Sequence, residues 1–103
     1  MPPLVTVCLG SSRPGGVDVS FYGLAQQKYE NFEIIFVDAR YHRRHSRVLA
    51  FAKWKGLKQP LYHVPNHRDQ PGPWATICAG YNTGFALAAG EIVIMLLDYT
   101  YVR

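Results

Sequence analysis

The chain has 103 residues, of which 49% are hydrophobic, 14% aromatic and 17% charged, enough for one folded core and too little for two. No stretch approaches the roughly 20 apolar residues that cross a bilayer, and the opening "MPPLVTVCLGSS" lacks the basic region of a cleaved leader. Eleven Lys and Arg against seven Asp and Glu leave a net charge of +4, a mild excess that suits anionic ligands but falls short of a nucleic-acid signature.

In chain order, "LVTVCL" (4–9) is a short β-branched apolar run and predicts a buried strand. The loop "GSSRPGG" follows. Val17, Phe21, Leu24 and Ala25 then recur at helical spacing and predict an amphipathic helix over 17–28. "FEIIFVD" predicts a second buried strand, ending at Asp38. Val48, Phe51 and Ala52 predict a helix over 44–55, closed near its end by Gly56. "PLYHVP", bracketed by prolines, suits an edge strand. A loop rich in Pro, Gly and Asn covers 66–73. Ile77, Tyr81, Phe85 and Ala88 mark a third helix, stopped by Gly90, and "EIVIMLL" is the fourth strand.

The order β-α-β-α-β-α-β, with continuous apolar strands, predicts a Rossmann-like three-layer α/β/α fold around a mainly parallel sheet. Right-handed crossovers favour the strand order 3-2-1-4, which reverses direction between strands 1 and 4. Ligands bind beyond the carboxyl ends of strands at such a switch point. Leu9, Gly10 and Ser11 end strand 1 there, Asp38 ends strand 2, and Asp98 follows strand 4. Two carboxylates beside a glycine make a candidate crevice. The structural alternative is that each Asp merely caps the next turn. Cys8 and Cys78, few and set in apolar stretches, suit buried thiols in a reducing compartment.

Several motifs fail. "GSSRPGG" has neither the Lys-Ser/Thr pair of a phosphate loop nor a G-x-G-x-x-G fingerprint, although Arg13 within it could meet a phosphate. "RYHRRHSR" holds four arginines, read first as a solvated helix face and second as a surface for an acidic partner or RNA. Arg43 and Arg47, one turn apart, share a face. His42-x-x-His45 and His63-x-x-x-His67 lack the further ligands that a zinc site requires. No serine lies in a nucleophile elbow.

Two longer stretches carry a resemblance. "PLVTVCLGSSRPGGVDVSFYGLAQQKYENFEIIFVDA" and "AGYNTGFALAAGEIVIMLLD" resemble the opening and later segments of the family 2 glycosyltransferases, which have the GT-A fold. The resemblance covers nearly all of this chain but only the nucleotide-binding half of a family member. It implies transfer of a sugar from a nucleotide diphosphate, typically a UDP-sugar, to an acceptor hydroxyl on a glycan, lipid or protein, usually with inversion. Under it, Asp38 contacts the base and the backbone of Leu9, Gly10 and Ser11 lies along the nucleoside. Asn82 and Gly84 match an "N-x-G" signature, and Gly90-Glu91 matches a "G-E" turn. Asp98 is the first aspartate of a D-x-D motif that holds Mg²⁺ or Mn²⁺.

Three positions depart from the family pattern. Ala39 replaces a second aspartate, Tyr81 stands where arginine is common, and the D-x-D motif reads Asp98-Tyr99-Thr100. A hydroxyl at Thr100 is a poorer ligand for a hard dication than a carboxylate. Arg13 or the Arg43/Arg47 pair then become candidates to meet the diphosphate charge. The general base is expected beyond Arg103, so the segment alone is expected to be inactive, and strand 4 is expected to be an open edge prone to self-association. The competing functional readings are a non-catalytic nucleotide-binding module and a basic interaction module. The expected location is the cytoplasm, free or at a membrane periphery.

Overall fold

A computed structural model of the chain describes residues 2–11, 17–65, 81–97 and 102. The elements run β1 (Val5–Ser11), α1 (Val17–Ala25), β2 (Phe32–Asp38), α2 (Tyr41–Trp54), β3 (Leu61–Pro65), α3 (helical over 81–87) and β4 (Ile92–Leu97). Every pairing is parallel and the strand order is β3-β2-β1-β4. This is the Rossmann-like α/β arrangement and strand order that the element pattern predicts.

Alternation along the strands divides the sheet's two faces. Val7 and Leu9 of β1, Ile34 and Phe36 of β2 and Leu96 of β4 join Phe21 and Leu24 of α1 and Val48 and Ala52 of α2 in one core. Phe21 meets Phe36 edge to face with ring centroids 5.8 Å apart. The opposite face receives α3. A Cβ added at Gly84 would sit 3.0 Å from the Cys8 sulfur and 3.7 Å from Val37, so helix and sheet approach closely there. Cys8 is a buried free thiol, whereas Cys78 and Ile77 lie outside the described residues. Strand β2, covered on both sides, is buried along its whole length.

The element boundaries shift for local reasons. Strand β1 continues to Ser11, because its pairing with β2 extends to Ser11 opposite Asp38. Helix α1 ends at Ala25, where the Gln26 and Gln27 N–H groups turn back to Gly23 and Leu24. Helix α2 starts at Tyr41, ahead of the predicted 44, with no side-chain cap at its N-cap residue Arg40. The Arg40 N–H is instead taken by the Asp38 carboxylate at 2.8 Å. At the other end Gly56 has φ 95°. Its N–H reaches the Lys53 carbonyl at 2.9 Å and the Leu57 N–H reaches Ala52 at 3.1 Å, a Schellman closure with Leu57 buried beneath it.

Strand β4 pairs only with β1 among the described residues. Its apolar run predicts burial, yet only Leu96 is buried, and Ile94 and Met95 on opposite faces are 46% and 59% exposed. Helices α1 and α3 lie over β1 and reach β4 at Leu96, leaving the rest of the strand exposed. An apolar groove of about 350 Å³ runs beside it, lined by Val5, Val7, Leu24, Ile92, Ile94 and Leu96 among others. An open apolar edge recruits further strands. Sedimentation velocity is therefore expected to show self-association that grows with concentration. A single monomeric species throughout would contradict that expectation.

Candidate functional site

At the carboxyl end of the sheet, β1, β2 and β3 deliver Ser11, Asp38 and His63 to one point, and the first turn of α2 adds Arg44. The register sets Ser11 beside Asp38. Asp38 is fully buried. Arg44 grips it with Nε 2.5 Å from Oδ2 and Nη2 2.7 Å from Oδ1. His63 Nε2 lies 2.9 Å from Oδ2, and the Arg40 backbone N–H takes Oδ1. Arg44 Nη2 also donates to Ser11 Oγ at 3.3 Å.

All four acceptor directions of the Asp38 carboxylate are thus used by protein donors. As it stands, Asp38 holds Arg44 and His63 in place. A direct hydrogen bond from a nucleobase to Asp38 requires one of those donors to move aside. The other ring nitrogen of His63, Nδ1, points away from the carboxylate. That atom is buried with no partner among the described residues. The ring is fixed by Phe36, stacked at 5.0 Å, and by Tyr41 at 4.7 Å.

Burial by itself would push the Asp38 carboxyl up. Hydrogen bonds from His63, Arg44 and the Arg40 N–H, with the Arg44 charge, outweigh burial and hold it at about 2. The unfolded chain has this group near 3.9. A depressed carboxyl stabilises the fold above the unfolded value, and that stabilisation is lost as pH falls toward the folded value. About 2–3 kcal/mol rides on Asp38 in this way. Urea midpoints are expected to fall between about pH 4 and pH 2, and to fall less in Asp38→Asn. An identical acid profile in the two proteins would contradict the depressed carboxyl.

The other predicted site residues fall as follows. Leu9 is fully buried, so only its backbone is left to meet a ligand. Gly10 belongs to β1 and not to a loop, beneath the Tyr81 ring, which is 3.8 Å from where a Cβ would be. Tyr81 Oη donates to the Leu96 carbonyl at 3.2 Å. Asn82 is exposed on α3. Arg13, Asp98, Tyr99 and Thr100 lie outside the described residues. Leu97, immediately before Asp98, is in register with Gly10. Leu9, Gly10, Ser11 and Asp38 are therefore brought together, while Asn82 makes no described contact with them.

Sequence reasoning missed Arg44 and His63. The arginine run reads as a solvated face, and Arg43 and Arg47 do share an exposed flank. Arg44, however, precedes Val48 and Ala52 by four and eight residues, so it lies on the buried stripe. That spacing was visible in the sequence. His63, weighed only as a metal ligand, follows Leu61 by two on β3 and so shares its inward face.

Other chemistry at this end of the sheet is limited. Burial, and then the Glu33 charge, pushes the Cys8 thiol up, which leaves it a poor nucleophile. Among the described residues no group of three or more His, Cys, Asp or Glu could hold a metal ion. The sequence Asp98-Tyr99-Thr100 offers one carboxylate and a hydroxyl, a poor donor set for a hard dication. No helix among the described residues is long and apolar enough to cross a membrane. Comparison with protein-family models, with curated proteins and with solved structures finds no match to this chain.

Proposed function

We propose that this chain is the donor-binding region of a family 2-like glycosyltransferase, binding a nucleotide diphosphate sugar, with a UDP-sugar the leading candidate. The observation that supports it is the switch point. Ser11 and Asp38 stand in register at the ends of β1 and β2, and β4, which leads into Asp98, flanks β1 on the other side. Open parallel sheets bind nucleotides in such a crevice. The two stretches that resemble the family supply the sugar-transfer half of the reading.

In the proposed reaction the acceptor hydroxyl attacks the anomeric carbon, and the bond from that carbon to the diphosphate oxygen breaks. The diphosphate leaves with the electron pair, and a base takes the hydroxyl proton. The departing charge must be met by cations. Arg13 and the Arg43/Arg47 pair are the candidates this chain offers, and Asp98 is the candidate ligand for Mg²⁺ or Mn²⁺. The backbone of Leu9 to Ser11 would line the nucleoside, with Arg44 and His63 shaping its base end through Asp38. A cytoplasmic location accords with a nucleotide-sugar donor.

Isothermal titration with UDP and UDP-sugars, each with and without Mn²⁺ and with ATP as control, tests the reading. Saturable binding of UDP and a UDP-sugar, and weaker binding of ATP, is expected. No uridine nucleotide binding under any of these conditions would sink it. A second reading, a nucleotide-binding module without catalysis, is favoured by the altered Asp98-Tyr99-Thr100 and by the saturated Asp38 carboxylate. It predicts the same binding with no release of sugar from the bound donor.

A further inference from the structure

Charge is distributed unevenly along the chain. Between Ala39 and Pro65 lie seven of the eleven lysines and arginines and none of the seven acids, so the remainder carries four cations against seven acids. Arg40 precedes helix α2, and the helix and the turn after it hold the other six cations. One of its cations, Arg44, turns inward and is neutralised by Asp38. Arg43, Arg47, Lys53 and Lys58 are exposed and make no ion pair among the described residues.

The same outward face carries apolar side chains that the core does not use. Trp54 is 75% exposed and Leu49 is 50% exposed. Helical spacing places Arg43, Arg47, Ala50 and Trp54 along one flank and His42, Ser46, Leu49 and Lys53 along the other. Lys55 lies over the Trp54 ring at 4.9 Å, which keeps a cation beside the indole. The buried stripe of Arg44, Val48 and Ala52 anchors the helix from behind, so the outer face is presented on a fixed support.

We propose that the outer face of α2, with Arg43, Arg47, Leu49, Lys53 and Trp54, is a docking surface for an anionic lipid bilayer. Cations in this number attract a negative leaflet from a distance. An indole prefers the water–lipid boundary, and Leu49 gains by entering it. A nucleic acid would use the cations and could stack a base on Trp54, but it would gain nothing from Leu49. The proposal shares Arg43 and Arg47 with the donor-binding reading, which offers them to the diphosphate, but flotation without nucleotide and the Trp54→Ala variant test it apart from that reading.

Flotation of the whole chain with vesicles tests it. One set is phosphatidylcholine alone, and the other contains about one-third phosphatidylglycerol, each at low and at high salt. The chain is expected to float with the anionic vesicles at low salt, to stay behind with the neutral ones, and to be released by salt. Arg43→Gln with Arg47→Gln is expected to weaken binding about 25-fold, near fivefold for each cation removed. Trp54→Ala is expected to weaken it while leaving the salt dependence in place. Circular dichroism controls for folding, since all three positions are exposed. Failure to float overturns the proposal, as does equal flotation on neutral vesicles or flotation indifferent to these variants. Single-stranded RNA that binds more tightly than the anionic vesicles, through the same arginines, overturns it in favour of a nucleic acid.

Discussion

Asp38→Asn is expected to destabilise the fold by about 3–5 kcal/mol, the range for breaking a buried ion pair by removing one partner. The substitution keeps the volume of the side chain and removes its charge, so no cavity confuses the result. It also turns an amide N–H₂ toward donors. Arg44 would exchange a two-oxygen carboxylate for a single neutral amide oxygen, beside the Ser11 hydroxyl at 3.3 Å and the Phe36 ring, 5.3 Å from its Cζ. Against a total stability of about 5–15 kcal/mol for a domain this size, the loss is large. Adding Arg44→Met removes the stranded cation and is expected to restore part of the stability, because an apolar side chain suits the stripe it shares with Val48 and Ala52. Urea denaturation of the single and double variants measures both effects. A single variant within about 1 kcal/mol of the parent would show that Arg44 escapes to solvent at little cost.

The second large effect is expected at Gly90, between α3 and β4. An added Cβ would sit 2.6 Å from Thr6 Oγ1, 2.7 Å from the Leu4 carbonyl oxygen and 2.7 Å from the Thr6 nitrogen. Two of those three atoms are backbone of the chain entering and forming β1, so relief requires moving a central strand. The turn is also a hydrogen-bonded network. Gly90 N–H donates to Thr6 Oγ1 at 2.8 Å, and Thr6 Oγ1 donates to the buried Glu33 carboxylate at 2.7 Å. The Ala89 N–H reaches the same Glu33 oxygen at 3.0 Å. Overpacking with disruption of one such bond is expected to cost about 3 kcal/mol in Gly90→Ala. Gly56→Ala, with open space and a positive φ, is expected to cost about 1 kcal/mol. Gly10→Ala, where a Cβ meets Tyr81 at ordinary contact distance, is expected to change stability least. Thermal denaturation of the three variants gives the ranking, and a Gly90→Ala protein as stable as Gly10→Ala would contradict the tight turn.

Much of this architecture was legible because each strand carries its own signal. "FEIIFVD" is β2 from end to end, since a central strand buried on both faces is largely apolar, here broken only by Glu33 and Asp38. The strand order followed from helices alternating with strands. Harder to read were features set by partners distant in sequence. Helix α2 begins three residues before its apolar periodicity, where the Asp38 carboxylate takes the Arg40 N–H and the Arg44 side chain. The run "RYHRRHSR" reads as uniformly basic, and only its phase relative to Val48 and Ala52 separates Arg44 from its neighbours. His63 on β3 meets Asp38 across 25 residues, a distance that no local pattern encodes. The open edge at β4 was anticipated, but the exposure of its faces was not, because an apolar run looks the same whether or not a helix covers it.

The candidate site was legible as positions rather than as contacts. Ser11 and Asp38 do stand together at the carboxyl ends of adjacent strands, yet the carboxylate faces Arg44 and His63. The side chains that shape this end of the sheet therefore come from a helix read as surface and a strand read as edge. Any ligand meeting Asp38 does so in competition with Arg44, and substitutions there should alter affinity and stability together.

Donor binding at the carboxyl ends of β1, β2 and β4 is most directly tested by amide chemical shifts of the isotopically labelled chain during titration with UDP. Saturable shifts are expected at Gly10, Ser11, Ala39 and Leu97, while the Lys53 and Trp54 amides on the outer face of α2 stay in place. Shifts confined to α2, or none at saturating UDP, would contradict a nucleotide site at the switch point.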